Sequence, residues 1–157
     1  MKYMRLATTD VVVSRICIGG MSFGKVSENG HQWLLDQKGC REMLAHAYDL
    51  GVNFIDTANT YAAGTSEEYI GTSIKELGIP RDKLVIATKV FFNLTTKEHL
   101  TRGAIFAEVE GSLKRLGTDY IDLYQIHRFD YATPIEETME ALDSLVKSGK
   151  VRAIGCS

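Results

Sequence analysis

The chain has no long apolar run, few cysteines and almost no net charge, and each shortage closes off a class of function. Near the N-terminus Lys2, Arg5 and Asp10 surround only the brief Val11-Val12-Val13 run, which predicts neither a signal peptide nor a membrane span. Cys17, Cys40 and Cys156 are odd in number, far apart and in no C-x-x-C pair, a pattern that predicts reduced thiols and a cytoplasmic setting. His31, His46, His99 and His127 include no H-x-x-x-H pair and no cysteine partner at zinc spacing, so no metal is expected. A formal net charge of −2 gives no electrostatic reason for nucleic acid or an anionic membrane as the main partner.

Two familiar motifs are also missing. Gly19-Gly20-Met21-Ser22-Phe23-Gly24 lacks G-x-G-x-x-G spacing, and there is no Walker lysine, which argues against a Rossmann or P-loop nucleotide site. Asn93-Leu94-Thr95 fits a glycosylation sequon, but without a secretory signal it reads as a chance match. The charged run Arg81-Asp82-Lys83 reads as a solvated turn.

What is present is an ordinary globular composition, 45% hydrophobic and 24% charged over 157 residues, enough for one domain with a real core. Residues 2 to 13 predict a small hairpin with Thr8-Thr9-Asp10 at its turn. A first sheet strand over 15 to 18 leads into the glycine-rich segment and a polar loop reaching about residue 36. The next helix is capped by Asp36, carries Met43, Leu44, Ala47 and Leu50 on one face, and stops at Gly51. Gly51-Val52-Asn53-Phe54-Ile55 then reads as a strand covered on both faces, closed by Asp56-Thr57-Ala58-Asn59.

The pattern repeats. A helix opens at Ser66 with Glu67 and Glu68 in its first turn and ends at Gly78. A strand after Pro80 closes at Lys89. A helix over about 101 to 116 places Ile105, Val109, Leu113 and Leu116 on one face, with Gly117 as its stop. Ile121-Asp122-Leu123-Tyr124-Gln125-Ile126 is a strand ending at His127. Thr133-Pro134-Ile135-Glu136 predicts a capping box for a last helix whose buried face is Ile135, Met139, Leu142, Leu145 and Val146. Gly149 ends it, and Ala153-Ile154-Gly155-Cys156-Ser157 is a final strand.

Strand and helix alternate, as right-handed crossovers between parallel strands require. On pattern alone this fits either an open doubly wound sheet or part of a (β/α)8 TIM-type barrel. A complete barrel typically takes about 250 residues, so a barrel reading means the first five strands of an incomplete one.

In either arrangement the polar strand ends point the same way. Asp56, Lys89, His127 and Ser157 close successive strands, and Tyr61 lies just beyond Asp56. Each alone has an ordinary explanation: a turn cap, a solvated strand end, a near-core histidine, a rim tyrosine. Together they bring an acid, an amine, an imidazole and a phenol to one face, where parallel α/β proteins bind ligands. This set fits proton transfer to a carbonyl oxygen during reduction. A free phenol, with a pKa of ~10, is a poor acid at neutral pH, and a cation nearby favours the phenolate. Lys89 supplies the cation, Asp56 keeps it charged, and His127 donates a hydrogen bond to the substrate oxygen. No residue carries the hydride, so a cofactor must.

Gly51-Val52-Asn53-Phe54-Ile55-Asp56-Thr57-Ala58-Asn59-Thr60-Tyr61, Ala87-Thr88-Lys89-Val90, Leu116 through His127, and Arg152 through Ser157 resemble, in order, the first five strands of the aldo-keto reductases. The nearest resemblance is to bacterial members with L-G-x-M-T-F-G after the first strand. The resemblance implies an NAD(P)H-dependent oxidoreductase on a (β/α)8 barrel, with residues 1–157 as the N-terminal part of the domain. It implies a catalytic tetrad at Asp56, Tyr61, Lys89 and His127, with Tyr61 as proton donor. Gly20, Met21, Asp56 and Ser157 are implied on the nicotinamide side, with NADPH as cofactor, NADH as the alternative, and a small carbonyl compound as substrate. Ala7 departs from the glycine common in the family's first turn. The strands that carry the ring stacked on the nicotinamide and the loop that grips the adenosine phosphate have no counterpart here. The expectation is weak cofactor binding by this chain alone, and self-association through open barrel edges. A nucleotide-sensing subunit without turnover and an inactive half-barrel are the competing readings.

Overall fold

A computed structural model describes residues 1–27 and 31–157; the part of the expected polar loop at 28–30 lies outside the described residues. The architecture is a five-stranded parallel sheet in sequential order, β3 (Cys17–Gly19), β4 (Phe54–Asp56), β5 (Val85–Val90), β6 (Ile121–Ile126) and β7 (Val151–Cys156). A two-stranded antiparallel hairpin, β1 (Tyr3–Arg5) and β2 (Val12–Ser14), precedes it. Four helices return the chain between strands: α1 (Gln37–Asp49), α2 (Thr65–Glu76), α3 (Arg102–Leu116) and α4 (Ile135–Lys147). This is the first half of a (β/α)8 barrel, and it decides between the two sheet types in favour of the barrel. Among the described residues, β3 pairs only with β4 and β7 only with β6, so both outer strands are open edges.

The strands form where the sequence lacks polar interruption. All six residues of β5 are buried, which requires cover on both faces. Outside, Ile86, Tyr124, Ile105, Leu113, Leu142 and Leu145 join one core between sheet and helices. Inside, Ala87, Leu123 and Ala153 from three neighbouring strands pack with Leu6 and Phe54. Leu6 comes from the hairpin, whose Val11 and Val13 also pack on Val85, so the hairpin closes the floor of the half-barrel. Ala7 occupies the turn with φ 49°, the left-handed conformation that glycine would adopt without strain.

Several local expectations are corrected. Ser66 does not cap α2: the helix starts at Thr65 after a turn, Tyr61–Gly64, in which Ala62 and Ala63 are left-handed. Ser66 is instead buried and donates to the Gly20 carbonyl. The capping box at α4 does not form. Thr133 Oγ1 donates to the buried Asp130 carboxylate, which also accepts the backbone N–H groups of Leu100 and Ala132, and these charge-assisted bonds outcompete a cap. Arg81 is not solvated; its guanidinium binds Asp122 at 2.6 Å and the Leu84 and Tyr120 carbonyls, and lies over the Tyr120 ring. Met43 on α1 and Leu50 at its C-terminal end, and Ile135, Met139 and Val146 on α4, are exposed, because the first and last helices each lack a neighbour on one side. No helix among the described residues is long and apolar enough to cross a membrane.

Candidate active site

β4 and β5 are in register so that Asp56 lies beside Ala87, two residues before Lys89. That stagger lets the lysine reach back across the strand ends. Lys89 Nζ donates to Asp56 Oδ2 at 2.6 Å, to the Thr57 carbonyl at 2.9 Å and to the Tyr61 hydroxyl at 3.4 Å. The lysine is only 5% exposed. These three partners take up all the donors of the buried amine, as burial of such a group requires.

Asp56 is held from its other side by Gln125, whose amide donates to Oδ1 at 3.0 Å. Gln125 thus joins the site without being marked by any motif in the sequence. Its only signal was position: it stands opposite Lys89 on the adjacent strand. The Cys17 thiol also faces this group and is pushed up to about 11, first by burial and then by the Asp56 charge, so it stays a neutral thiol.

His127 follows β6, its backbone N–H bonded to the Val90 carbonyl. Its ring meets Tyr61 edge-to-face at 5.7 Å between centroids and Phe92 likewise at 5.4 Å. Burial lowers the pKa of its imidazole below the ordinary histidine value; Lys89 and Arg128 push in the same direction and Asp56 opposes them. A neutral ring can present an N–H to a ligand without importing a second positive charge beside Lys89.

The Tyr61 turn is held against its backbone preference. Ala62 and Ala63 have φ of 48° and 55°, a strained conformation that persists only where surroundings enforce it. Thr65 Oγ1 donates to the Ala62 carbonyl and accepts the Lys25 N–H. Gly24 has φ 142°, and a Cβ there would come within 2.3 Å of Ala62 Cβ, so the segment after β3 locks onto the tyrosine turn only with glycine at that position.

The remaining predicted residues surround this group unequally. Gly20 is buried in a short 3-10 turn, its carbonyl occupied by Ser66. Met21 is exposed and lines a cavity of about 310 Å³ together with Lys25, Thr60 and Tyr61. Ser157 lies at the open end of β7, lining a separate cavity with His127, Arg128 and Phe129. The four chemistry-bearing side chains thus converge, while Met21 and Ser157 flank them from opposite sides.

The chain is similar to known proteins over nearly its whole length. The aldo/keto reductase family pattern matches residues 15–157. Aldo-keto reductase YhdN of Bacillus subtilis is 44% identical over 160 residues, covering 100% of this chain and 47% of that protein. Aldo-keto reductase AMT2 of Alternaria alternata is 40% identical over 181 residues, covering 99% of this chain and 49% of that protein. Aldo-keto reductase AKR11C1 from Bacillus halodurans, solved in its holo form, superposes with a TM-score of 0.83 at 34% identity, covering 100% of this chain and 50% of that one. The chain therefore spans about half the length of the curated relatives it matches, and it belongs to the aldo/keto reductase family.

Proposed function

We propose that this chain is the N-terminal part of an NADP-dependent aldo-keto reductase domain of the bacterial type and that it carries the proton-transfer half of a carbonyl reductase site. The observation that supports this most strongly is the Lys89 ammonium shared between the Asp56 carboxylate and the Tyr61 hydroxyl. In the reduction direction Tyr61 donates its proton to the substrate oxygen. Lys89 offsets the charge left on the phenolate, and Asp56 holds Lys89 charged and in place. His127 donates a hydrogen bond to the same oxygen and orients the carbonyl. The substrate is a small aldehyde or ketone, including sugar-derived carbonyls.

A nicotinamide cofactor, NADPH with NADH as the alternative, supplies the hydride when bound. The residues fit one end of it. Met21 and Ser157 offer surface on either side of the Tyr61–His127 pair, with the exposed Ser157 hydroxyl available to an amide. The five strands do not form a closed ring around that end.

For the chain on its own a second reading is favoured: a half-barrel that holds catalytic side chains but turns over only once its barrel is closed by further strands. Two open edge strands and a length about half that of its relatives support it. The test is a fluorescence titration with NADPH and NADH beside an aldehyde-reduction assay on the same sample, with Tyr61→Phe as control. Saturable binding with Tyr61-dependent turnover supports the first reading in full. A folded chain that neither binds nor reduces supports the second, and turnover that survives Tyr61→Phe overturns the assignment of the proton donor.

A further inference from the structure

Glu108 is a fully buried carboxylate on α3, outside the group of residues that the site chemistry uses. It accepts hydrogen bonds from two different loops. Oε2 takes the Asn59 side-chain amide at 2.8 Å. Oε1 takes the backbone N–H groups of Leu94 and Thr95 at 3.0 and 2.8 Å and the Thr95 hydroxyl at 2.5 Å. Burial alone would raise its pKa; the bonds from Thr95, Asn59 and Leu94 outweigh that and hold the carboxyl below its usual range. Such a fully used buried carboxylate fixes whatever it binds.

What it binds are the two walls of the candidate site. Asn59 is buried two residues before Tyr61 and its backbone N–H bonds the Lys89 carbonyl. Leu94 and Thr95 follow Phe92 in the same loop, two and three residues on. Tyr61 and Phe92 are the two rings that meet His127 edge-to-face, one on each loop. Among the described residues Asn59 Oδ1 has no hydrogen-bond partner, so the direction of that amide is set by its bond to Glu108.

We infer that Glu108 is a positioning residue for the site: one buried carboxylate cross-links the Tyr61 loop to the Phe92 loop and so sets the spacing in which His127 is held. The inference rests on the reductase reading for its meaning, but its geometry can be tested without cofactor or turnover.

The test is NMR of the whole chain, reading the Tyr61–His127 and Phe92–His127 ring contacts as nuclear Overhauser effects, for the parent, Glu108→Ala and Glu108→Gln. Glu108→Ala is expected to weaken both contacts. Glu108→Gln is expected to restore at least part of both, because Asn59 can turn its unpartnered Oδ1 toward the new amide. Two single-arm variants cover the case in which Glu108→Ala does not fold. Asn59→Ala is expected to loosen the Tyr61 contact alone, and Thr95→Ala the Phe92 contact alone. In an assay with aldehyde and NADPH, Glu108→Ala should lower kcat by about 10²-fold with a smaller change in KM, as expected for misplaced reacting groups. Unchanged ring contacts in a folded Glu108→Ala chain, or in both single-arm variants, would overturn the inference. Absence of turnover in the parent would count against turnover by this chain alone and favour the half-barrel reading, since the ring contacts are read independently.

Discussion

At the scale of the residue, the site is governed by how one buried ammonium distributes its three donors. Lys89→Met removes the cation from beside Tyr61 while leaving Asp56, 31% exposed at its side chain, to Gln125 and solvent. The expected outcome is a loss of reductase activity of about 10²–10³-fold, the size typical of deleting one preorganised electrostatic group. The fold is expected to persist, read by circular dichroism; a Lys89→Met chain that unfolds would make the lysine structural. His127 gives a pH prediction with a definite sign. Its folded-state pKa is lowered, so below about pH 6.5 the unfolded chain binds a proton that the folded chain resists. This group therefore costs no stability above that pH and an increasing amount as pH falls toward the folded value, where the loss levels off. Urea midpoints compared at pH 7 and pH 5 should drop less in His127→Gln than in the parent. An equal drop in both would mean that His127 titrates in the fold as it does in the unfolded chain. The convergence of Asp56, Tyr61, Lys89 and His127 is legible in the sequence because each closes or follows a strand. Gln125 and Glu108 are not, because their importance comes from partners 69 and 49 residues away, which no local pattern carries.

At the scale of the element, glycine and buried charge set how the helices sit. A Cβ on Gly71 would lie 2.4 Å from the Leu116 carbonyl oxygen, so α2 and α3 cross backbone to backbone at that point. Nearby, Glu67, fully buried on α2, accepts Arg115 Nε at 2.7 Å and the Thr88 hydroxyl at 2.6 Å, which ties both helices to β5. Gly71→Ala should force the helices apart and destabilise the chain by about 1–3 kcal/mol, the usual cost of overpacking. Thermal unfolding checks it, and an unchanged midpoint would show that the crossing relaxes freely. Asp130 joins two helix starts in the same manner, through Leu100 before α3 and Thr133 before α4. Asp130→Ala should cost about 2–3 kcal/mol, since it strands buried donors that had bonded a charged acceptor. Burial works against that charge, but its hydrogen bonds lower the carboxyl pKa below the usual value. The stabilisation is thus present above the unfolded aspartate value of about 3.9 and disappears as pH falls through the folded one. The parent's advantage over Asp130→Ala should therefore shrink in strong acid. The order of elements was legible from alternation, and α3 from its periodic face, whose four predicted residues are all buried. The start of α4 differs from the expected capping box because the Thr133 hydroxyl donates to the Asp130 carboxylate rather than accepting a backbone N–H of the first helical turn, a tertiary preference that overrides a local one.

At the scale of the whole molecule, the exposed apolar surface is not scattered. Met43, Leu50, Ile16 and Trp33, each between 47% and 59% exposed, line one groove beside the β3 edge, and Ile135, Met139 and Val146 lie along α4, the helix that packs on β7. The helical spacing of Met43 and Leu50, and of Ile135, Met139 and Val146, marks an apolar face in the sequence, but these residues are exposed rather than buried, because periodicity cannot show that no neighbouring helix covers them. Unpaired strand edges and contiguous apolar surface both favour association, so we expect the purified chain to self-associate reversibly with concentration through these two flanks. The flanks can be tested one at a time. Ile16→Lys and Met139→Lys each place a charge on an exposed position at opposite ends of the sheet and leave the buried core untouched. If association runs head to tail, each substitution should weaken it by about tenfold or more, since a lost apolar side-chain contact of about 1.5 kcal/mol is worth that factor. If it joins like edges, only one of the two should do so. Sedimentation equilibrium over a hundredfold concentration range separates these cases, and a parent chain that remains monomeric across that range would show that neither edge recruits a second copy.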